Sequence, residues 1–325
     1  MVLARLAACL MVLATPGLAA CAHAQTPASA PSPQGDYLTI DQLRERYADA
    51  QSRYLTVGDM KIHYKDEGSG PVLFMVHGSE SSLRTWDGIT EQLKHRYRII
   101  RFDIPGYGLS DGPSDRDAAT LDPMDVPLAL VKKLGVERTT FVGVSSGGTM
   151  GMYLAAEHPA LIERLIISNT PSDPVDSSHL VMPESFTAAI ARAKATGFRD
   201  LAFWNEFLSY FAGDPRRISA QTRQEYHDFY RRKPEKHPIA MVAVIGDRVV
   251  AKERMARVKQ PTFQIWGGAD KLLPESAAIA SARHLSSAQL SRVVMPDVGH
   301  YPPLEAPERF AQLIAAYVEA GVPHP

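Results

Sequence analysis

Residues 139–147 read Thr-Thr-Phe-Val-Gly-Val-Ser-Ser-Gly, a β-branched and aromatic run ending in Gly143-Val144-Ser145-Ser146-Gly147 and followed by a helical pattern over Gly148 to Glu157. A strand that enters a helix through so tight a turn lifts the central serine above the end of a sheet. Glycines on either side let strand and helix approach without a clashing Cβ. The first N–H groups of the new helix face the serine and favour negative charge there. Ser145 is therefore the candidate nucleophile. Ser146 is the alternative, but centring the motif on it puts Val144 where a glycine should stand.

A serine hydroxyl attacks poorly unless a base takes its proton, and that base needs an acid to hold its tautomer. Of the eleven histidines, only His300 lies in a loop directly after the last predicted strand, in Asp297-Val298-Gly299-His300-Tyr301. His23, His158 and His237 are read as surface or core residues. Trp266-Gly267-Gly268-Ala269-Asp270 supplies a carboxylate in the turn after another strand, so Asp270 is the candidate acid. The chain order serine, acid, histidine supports both assignments. Asp173 is the alternative acid, and Asp297 reads as a solvated turn residue. Acyl transfer also needs N–H donors for an oxyanion, from the residue after the nucleophile and from a loop after an early strand. The backbone groups of Ser146 and of Ser79, in Val76-His77-Gly78-Ser79, fit those places. His77 reads as a residue that shapes this loop rather than as a base.

Strand signals fall at Tyr54 to Val57, Lys61 to Tyr64, Val72 to Val76, Arg98 to Phe102, Thr139 to Val144 and Leu165 to Ser168. Several are apolar without alternation, as expected of strands covered on both faces. Helices are expected within Ala118 to Leu134, stopping at Gly135, and from Gly148 to Glu157. This is an α/β pattern with a mostly parallel sheet and helices on both faces. It stops at Pro174 and resumes at Thr262 to Trp266 and Ser291 to Met295, before a last amphipathic helix over Pro307 to Ala320. We assign 51–173 and 259–325 to an α/β core and 174–258 to an inserted helical cap. The cap aromatics Phe203, Trp204, Phe207, Tyr210, Phe211, Tyr226, Phe229 and Tyr230 could line an apolar substrate pocket, with Trp204, Phe207, Tyr210 and Phe211 the leading candidates, although cap core is the commoner role for such residues. The basic cluster Arg231, Arg232, Lys233 and Lys236 reads as a solvated helix end.

The chain opens Met1-Val2-Leu3-Ala4-Arg5 and continues apolar to about Leu18, an export signal rather than a membrane span. Two processing readings stand: cleavage at Ala22-His23-Ala24, giving a signal of residues 1–24, or a lipobox at Leu18-Ala19-Ala20-Cys21, giving residues 1–20 and a lipidated Cys21. The Pro/Ser/Ala-rich stretch that follows suits a tether, and 25–50 reads as a linker and N-terminal segment. A periplasmic protein or an outer-membrane lipoprotein of a bacterium is expected. The two cysteines, Cys9 and Cys21, both lie in this leader, so no thiol of the body is available for catalysis. A net charge of −1 argues against a nucleic-acid partner.

These motifs resemble the α/β-hydrolase family over nearly everything after the leader. The matching pieces are His77-Gly78, Asp103-Ile104-Pro105-Gly106-Tyr107-Gly108-Leu109-Ser110, the turn at Ser145, Gly267-Gly268-Ala269-Asp270, and Gly299-His300 followed by Glu305 and Pro307. The resemblance implies the α/β-hydrolase fold and the triad Ser145, Asp270 and His300, without metal or organic cofactor. It is similar to a branch of small esterases, lactonases and carbon–carbon bond hydrolases; dehalogenases and epoxide hydrolases of that branch use aspartate where Ser145 stands. The expected activity is cleavage of a carboxylic ester or lactone of a small to medium apolar molecule. Carbon–carbon bond or amide cleavage by the same triad is the alternative, and a non-catalytic envelope-anchored binding protein is the alternative of another class.

Overall fold

The computed structural model describes residues 36–232 and 248–321. Among them, eight strands form one sheet: β1 Arg53–Val57, β2 Met60–Gly68, β3 Val72–Val76, β4 Arg98–Phe102, β5 Thr139–Val144, β6 Ile162–Ser168, β7 Thr262–Gly267 and β8 Leu290–Met295. Their order across the sheet is β1-β2-β4-β3-β5-β6-β7-β8. β1 with β2 and β2 with β4 are antiparallel, and every later pair is parallel. Twelve α-helices are described: α1 Ile40–Tyr47, α2 Asp87–Leu93, α3 Asp115–Thr120, α4 Asp125–Lys133, α5 Ser146–Glu157, α6 Glu184–Thr196, α7 Leu201–Phe211, α8 Ala220–Phe229, α9 Arg248–Ala256, α10 Glu275–His284, α11 Pro302–Glu305 and α12 Pro307–Glu319.

The uninterrupted apolar strands are explained by their position. Side chains of a strand alternate between faces, and the central strands are covered on both. Phe74, Val76, Phe141, Leu165 and Ile167 pack into one core with Leu130, Met150 and Tyr153 of α4 and α5. Leu73, Met75, Val142 and Ile166 point the other way, into a second core with Ile89 of α2 and Phe310 and Ile314 of α12. Strand ends are where such a sheet meets solvent, so Val76, Val144, Gly267 and Met295 lead into the loops that carry polar groups.

Between β6 and β7, helices α6, α7 and α8 build a separate aromatic core from Phe186, Phe203, Trp204, Leu208, Tyr210, Phe211 and Tyr226. Asp200 caps α7 by accepting from the Phe203 N–H at 2.7 Å, and Ser219 caps α8. Helix α9 behaves differently from α6, α7 and α8 of the span 174–258 assigned to the cap. It packs on α5, burying Ala251 and Met255 in the first core, while Arg254 pairs with Glu157 at 2.8 Å and covers the Tyr153 ring. Burial against the core helix, rather than membership of a helical run in sequence, decides its place.

The segment before β1 is also more than a linker. Thr39 and Gln42 form a capping box at the start of α1, and Leu43 is fully buried. Arg44 reaches core residues, donating to Leu109 O and pairing with Asp111 at 2.7 Å. Arg46 and Tyr47 donate to the buried Asp228 of α8 at 2.8 and 2.6 Å. Arg231 pairs with Asp36 and Asp228, and Arg232 donates to Ser110 O at 2.8 Å, so these two arginines are tie points rather than a solvated helix end. Lys233, Lys236, the leader and both cysteines lie outside the described residues.

Candidate active site

Ser145 stands at the turn from β5 into α5 with φ 53° and ψ −129°, a backbone conformation costly for any residue with a Cβ. The turn persists because its neighbours leave no room for another. A Cβ on Gly147 would lie 2.3 Å from His77 O, and one on Gly143 would lie 2.6 Å from the Gly147 backbone. The Ser145 N–H donates to Ser168 O at 2.9 Å, pinning the turn to β6. Gly78 passes directly beside the serine: a Cβ there would be 2.8 Å from Ser145 Cβ. Ser145 is partly exposed and, among the described residues, its hydroxyl makes no hydrogen bond, an arrangement common in general-base sites before substrate binds.

The loop after β3 brings Ser79 against Ser146, their hydroxyls 3.0 Å apart. His77 shapes that loop as a neutral ring. Its Nδ1–H donates to Gly78 O at 2.7 Å, and its Nε2 accepts from the Ile104 N–H at 3.0 Å. Complete burial lowers its pKa, outweighing the Asp103 carboxylate 4.0 Å away, so the ring stays uncharged. Asp103 itself binds three segments together. It accepts from His63 Nδ1–H at 2.7 Å, from the Leu83 N–H at 2.7 Å and from the Leu109 N–H at 2.8 Å.

His300 and Asp270, thirty residues apart in sequence, meet with His300 Nδ1–H donating to Asp270 Oδ2 at 2.7 Å. Both side chains are buried. The bond fixes the imidazole tautomer and leaves Nε2 as the basic nitrogen. Asp270 Oδ1 accepts from the Leu272 and Leu273 N–H groups at 2.8 and 3.0 Å, and Oδ2 also accepts from Asn169 Nδ2 at 2.6 Å. Four donors therefore converge on this one carboxylate and fix its orientation. Asp173, the alternative acid, instead faces His284 at 2.8 Å, and the exposed Asp297 is clamped by Arg217 and Arg309. Hydrogen bonds from Arg309 and Arg217 hold its carboxyl far below the usual carboxylate range.

The histidine loop is bolted to the cap. The His300 N–H donates to Phe211 O at 2.8 Å. Glu305 Oε2 accepts from the Gly213 and Asp214 N–H groups at 2.9 and 3.2 Å, while Oε1 accepts from the Gly299 N–H at 2.9 Å. Burial raises the Glu305 pKa even so. Of the four aromatic candidates for a substrate pocket, Trp204 and Tyr210 serve mainly the cap core: Trp204 is fully buried, its ring 4.3 Å from Tyr230, and the Tyr210 hydroxyl donates to Val181 O. Phe211 lies nearer the chemistry, 6.5 Å from the His300 ring between centroids, with Phe207 packed on it at 5.1 Å. A recess between the Ser79 loop and α8 is lined by Glu80, Ser81, Arg84, Tyr226, Tyr230 and Leu304. Among the described residues no cluster of three or more His, Cys, Asp or Glu side chains is grouped as metal ligands would be.

Asn169 and Glu80 are not singled out for the site by the sequence. Asn169 had a usable signal, being the first residue past β6 and beside the strand end that carries Ser145. Glu305 was noticed only as part of a family pattern, since its three N–H partners come from segments far apart along the chain.

Residues 71–307, well over half of the chain, match the family model described as the alpha/beta hydrolase fold, and the chain belongs to that family. It is a hydrolase of the α/β superfamily. Over 264 residues it is 29% identical to the pimeloyl-[acyl-carrier protein] methyl ester esterase of Nitrosomonas europaea, covering 78% of this chain and 98% of the relative. It is 23% identical to 2-hydroxymuconate semialdehyde hydrolase of Pseudomonas sp. CF600, covering 82% of this chain and 93% of the relative. The fold is shared with the enol-lactonase from Burkholderia xenovorans, at TM-score 0.62 and 20% identity over 82% of this chain and the whole of that one.

Proposed function

We propose that this hydrolase cleaves carboxylic esters or lactones of small to medium apolar molecules through an acyl-enzyme on Ser145. His300 Nε2 accepts the serine proton as Oγ attacks the carbonyl, then delivers it to the leaving alcohol. Asp270 stabilises the imidazolium formed in between. The backbone N–H groups of Ser79 and Ser146 donate to the oxyanion, and water repeats the cycle on the acyl-enzyme. Phe207 and Phe211 are assigned to the apolar side of the pocket.

Two observations support this reading: the 2.7 Å His300–Asp270 bond in the loops after β8 and β7, and a serine held at φ 53° at the end of β5 of the same sheet. That the 29%-identical relative is named for a methyl ester agrees with it. The test is turnover of short p-nitrophenyl esters and labelling by a fluorophosphonate probe. Wild-type protein should be active and labelled; Ser145→Ala should lose both, and full activity in that variant would remove the proposal. The 2-hydroxymuconate semialdehyde hydrolase relative is the reason to include a vinylogous diketone, with an amide, in the same panel. No labelling and no turnover on any substrate would favour a binding protein instead.

Export, with or without a lipid on Cys21, belongs to the same reading, and the intact mass of the mature protein distinguishes cleavage after Ala24 from a lipidated Cys21. No helix among the described residues is long and apolar enough to cross a membrane.

A further inference from the structure

We propose that Arg199, in the cap, is a positioning residue for the oxyanion loop, acting through its ion pair with Glu80; the inference rests on the ester-hydrolase reading above. Glu80 directly follows Ser79, whose N–H is assigned to the oxyanion. Its φ is 58°, in the left-handed region that a residue with a Cβ enters only at a cost. Such a conformation persists when surrounding contacts over-determine it. The charged contact here is Arg199 Nη1 to Glu80 Oε2 at 2.7 Å, and Tyr107 and Tyr230 also reach Glu80. Both side chains are partly buried, so the pair is screened less than a fully exposed ion pair.

Arg199 is itself held. It lies between the end of α6, which closes at Gly197 with φ 68°, and the Asp200 cap of α7. Its guanidinium faces the rings of Phe203, Trp204 and Tyr230 at 5.3, 5.5 and 5.8 Å. Those contacts tie the charge to the cap core rather than leaving it on a free stem. The same loop meets the cap twice more, at Ser81 with Tyr226 (2.9 Å) and Arg84 with Glu225 (2.9 Å). Arg199 is a cap residue that acts next to the oxyanion donor, with Tyr230 beside it, so the seating of the cap and the direction of the Ser79 N–H are coupled through the Arg199–Glu80 ion pair. Misdirecting that donor weakens stabilisation of the transition state more than binding of the ester.

The test compares Arg199→Met, Arg199→Lys, Glu80→Gly and the Arg199→Met/Glu80→Gly double variant, in the otherwise complete protein, on p-nitrophenyl butyrate. Arg199→Met should lower kcat by about tenfold to a hundredfold with KM within about twofold, since small misplacements of catalytic groups cost that much. Arg199→Lys should recover part of the loss. Glycine adopts a positive φ without strain, so with Gly at 80 the further loss on removing Arg199 should be much smaller. Hydrogen exchange of the 79–82 amides should quicken in Arg199→Met and not in Arg199→Met/Glu80→Gly relative to Glu80→Gly. A raised KM with unchanged kcat in Arg199→Met would overturn the proposal in favour of a direct substrate contact. An equal loss with and without Glu80 would overturn it as well. Should the wild-type chain prove inactive toward esters, the exchange measurement still decides the coupling on its own.

Discussion

Asn169 donates through Nδ2 to Asp270 Oδ2 at 2.6 Å, the same oxygen that accepts from His300 Nδ1 at 2.7 Å and so orients the candidate base. Asn169 Oδ1 in turn accepts from the Gly267 N–H at 2.9 Å and from the Ser168 hydroxyl at 3.1 Å. The amide is thus a fixed bracket between β6 and the turn that carries Asp270. Its φ of 42° is one that asparagine tolerates better than most residues.

Replacing Asn169 with Ala should therefore act on catalysis more than on binding. The Asp270 carboxylate loses a donor and its lateral support, and the Gly267 N–H is left buried without an acceptor. We expect kcat to fall by about 10- to 100-fold, as when other outer hydrogen-bond partners are lost. KM should change little. Steady-state kinetics on one ester check this; an unchanged kcat would contradict the bracket role.

Gly299→Ala tests the attachment of the histidine loop to the cap. A Cβ at 299 would lie 2.3 Å from Phe211 O and 2.4 Å from the Gly213 N atom, neither of which can retreat without moving the cap. Overpacking of this kind costs about 1–3 kcal/mol. A lowered melting temperature together with loss of ester turnover is expected. A variant as stable and active as wild type would mean that the two segments are not held as tightly as described.

Glu305→Gln keeps the shape of a side chain that accepts from three N–H groups but turns one oxygen into a donor. One or more of the Gly299, Gly213 and Asp214 N–H groups then faces an NH2. A buried donor left unpaired costs about 1–3 kcal/mol, so chemical denaturation should show a loss of that size at neutral pH. The raised carboxyl also has a signed consequence. An acid whose pKa is higher folded than unfolded stabilises the fold below the unfolded value and loses that contribution as pH rises through the folded one. Wild type should lose stability over the range just above pH 4.5, and Glu305→Gln should lose less there.

Asp103 has the opposite sign. Burial alone would raise its pKa, but the hydrogen bond and charge of His63 and the Leu109 N–H hold it below 3.8. Its contribution is present above that value and disappears as pH falls through the lower folded one. Asp103→Asn should be less stable than wild type at pH 7, with a flatter decline in stability below pH 3.8. Urea midpoints at several acidic pH values measure both effects, and an unchanged slope would show that another group controls the acid limb.

Much of the site was legible because strand ends announce themselves. Gly143 to Gly147, Gly267 to Asp270 and Gly299-His300 each follow an apolar run, and parallel strands deliver their C-terminal ends to one edge of the sheet. The aromatic residues of α7 were harder to read. Trp204, Phe207, Tyr210 and Phe211 share a helical spacing, yet Trp204 faces Tyr230 while Phe211 faces His300, a division that depends on where α8 and the histidine loop lie. Helix α9 and the tether role of Arg231 were missed for a related reason. Burial partners such as Tyr153 and Asp228 are remote in sequence and leave no local pattern.

By itself, the order of residues determined the strand-and-helix alternation, the turn that exposes Ser145, and the chemical identity of the groups that stand at strand ends. These follow from side-chain periodicity and from the backbone freedom of a few glycines, which act over short stretches of chain. Only the tertiary structure decided that Asn169 braces Asp270, that Glu305 joins the histidine loop to the cap, and that Arg199 reaches Glu80 across 119 residues. Hydrogen bonds and ion pairs of that kind depend on distances between atoms, and folding sets those distances without leaving a signature in the neighbouring sequence.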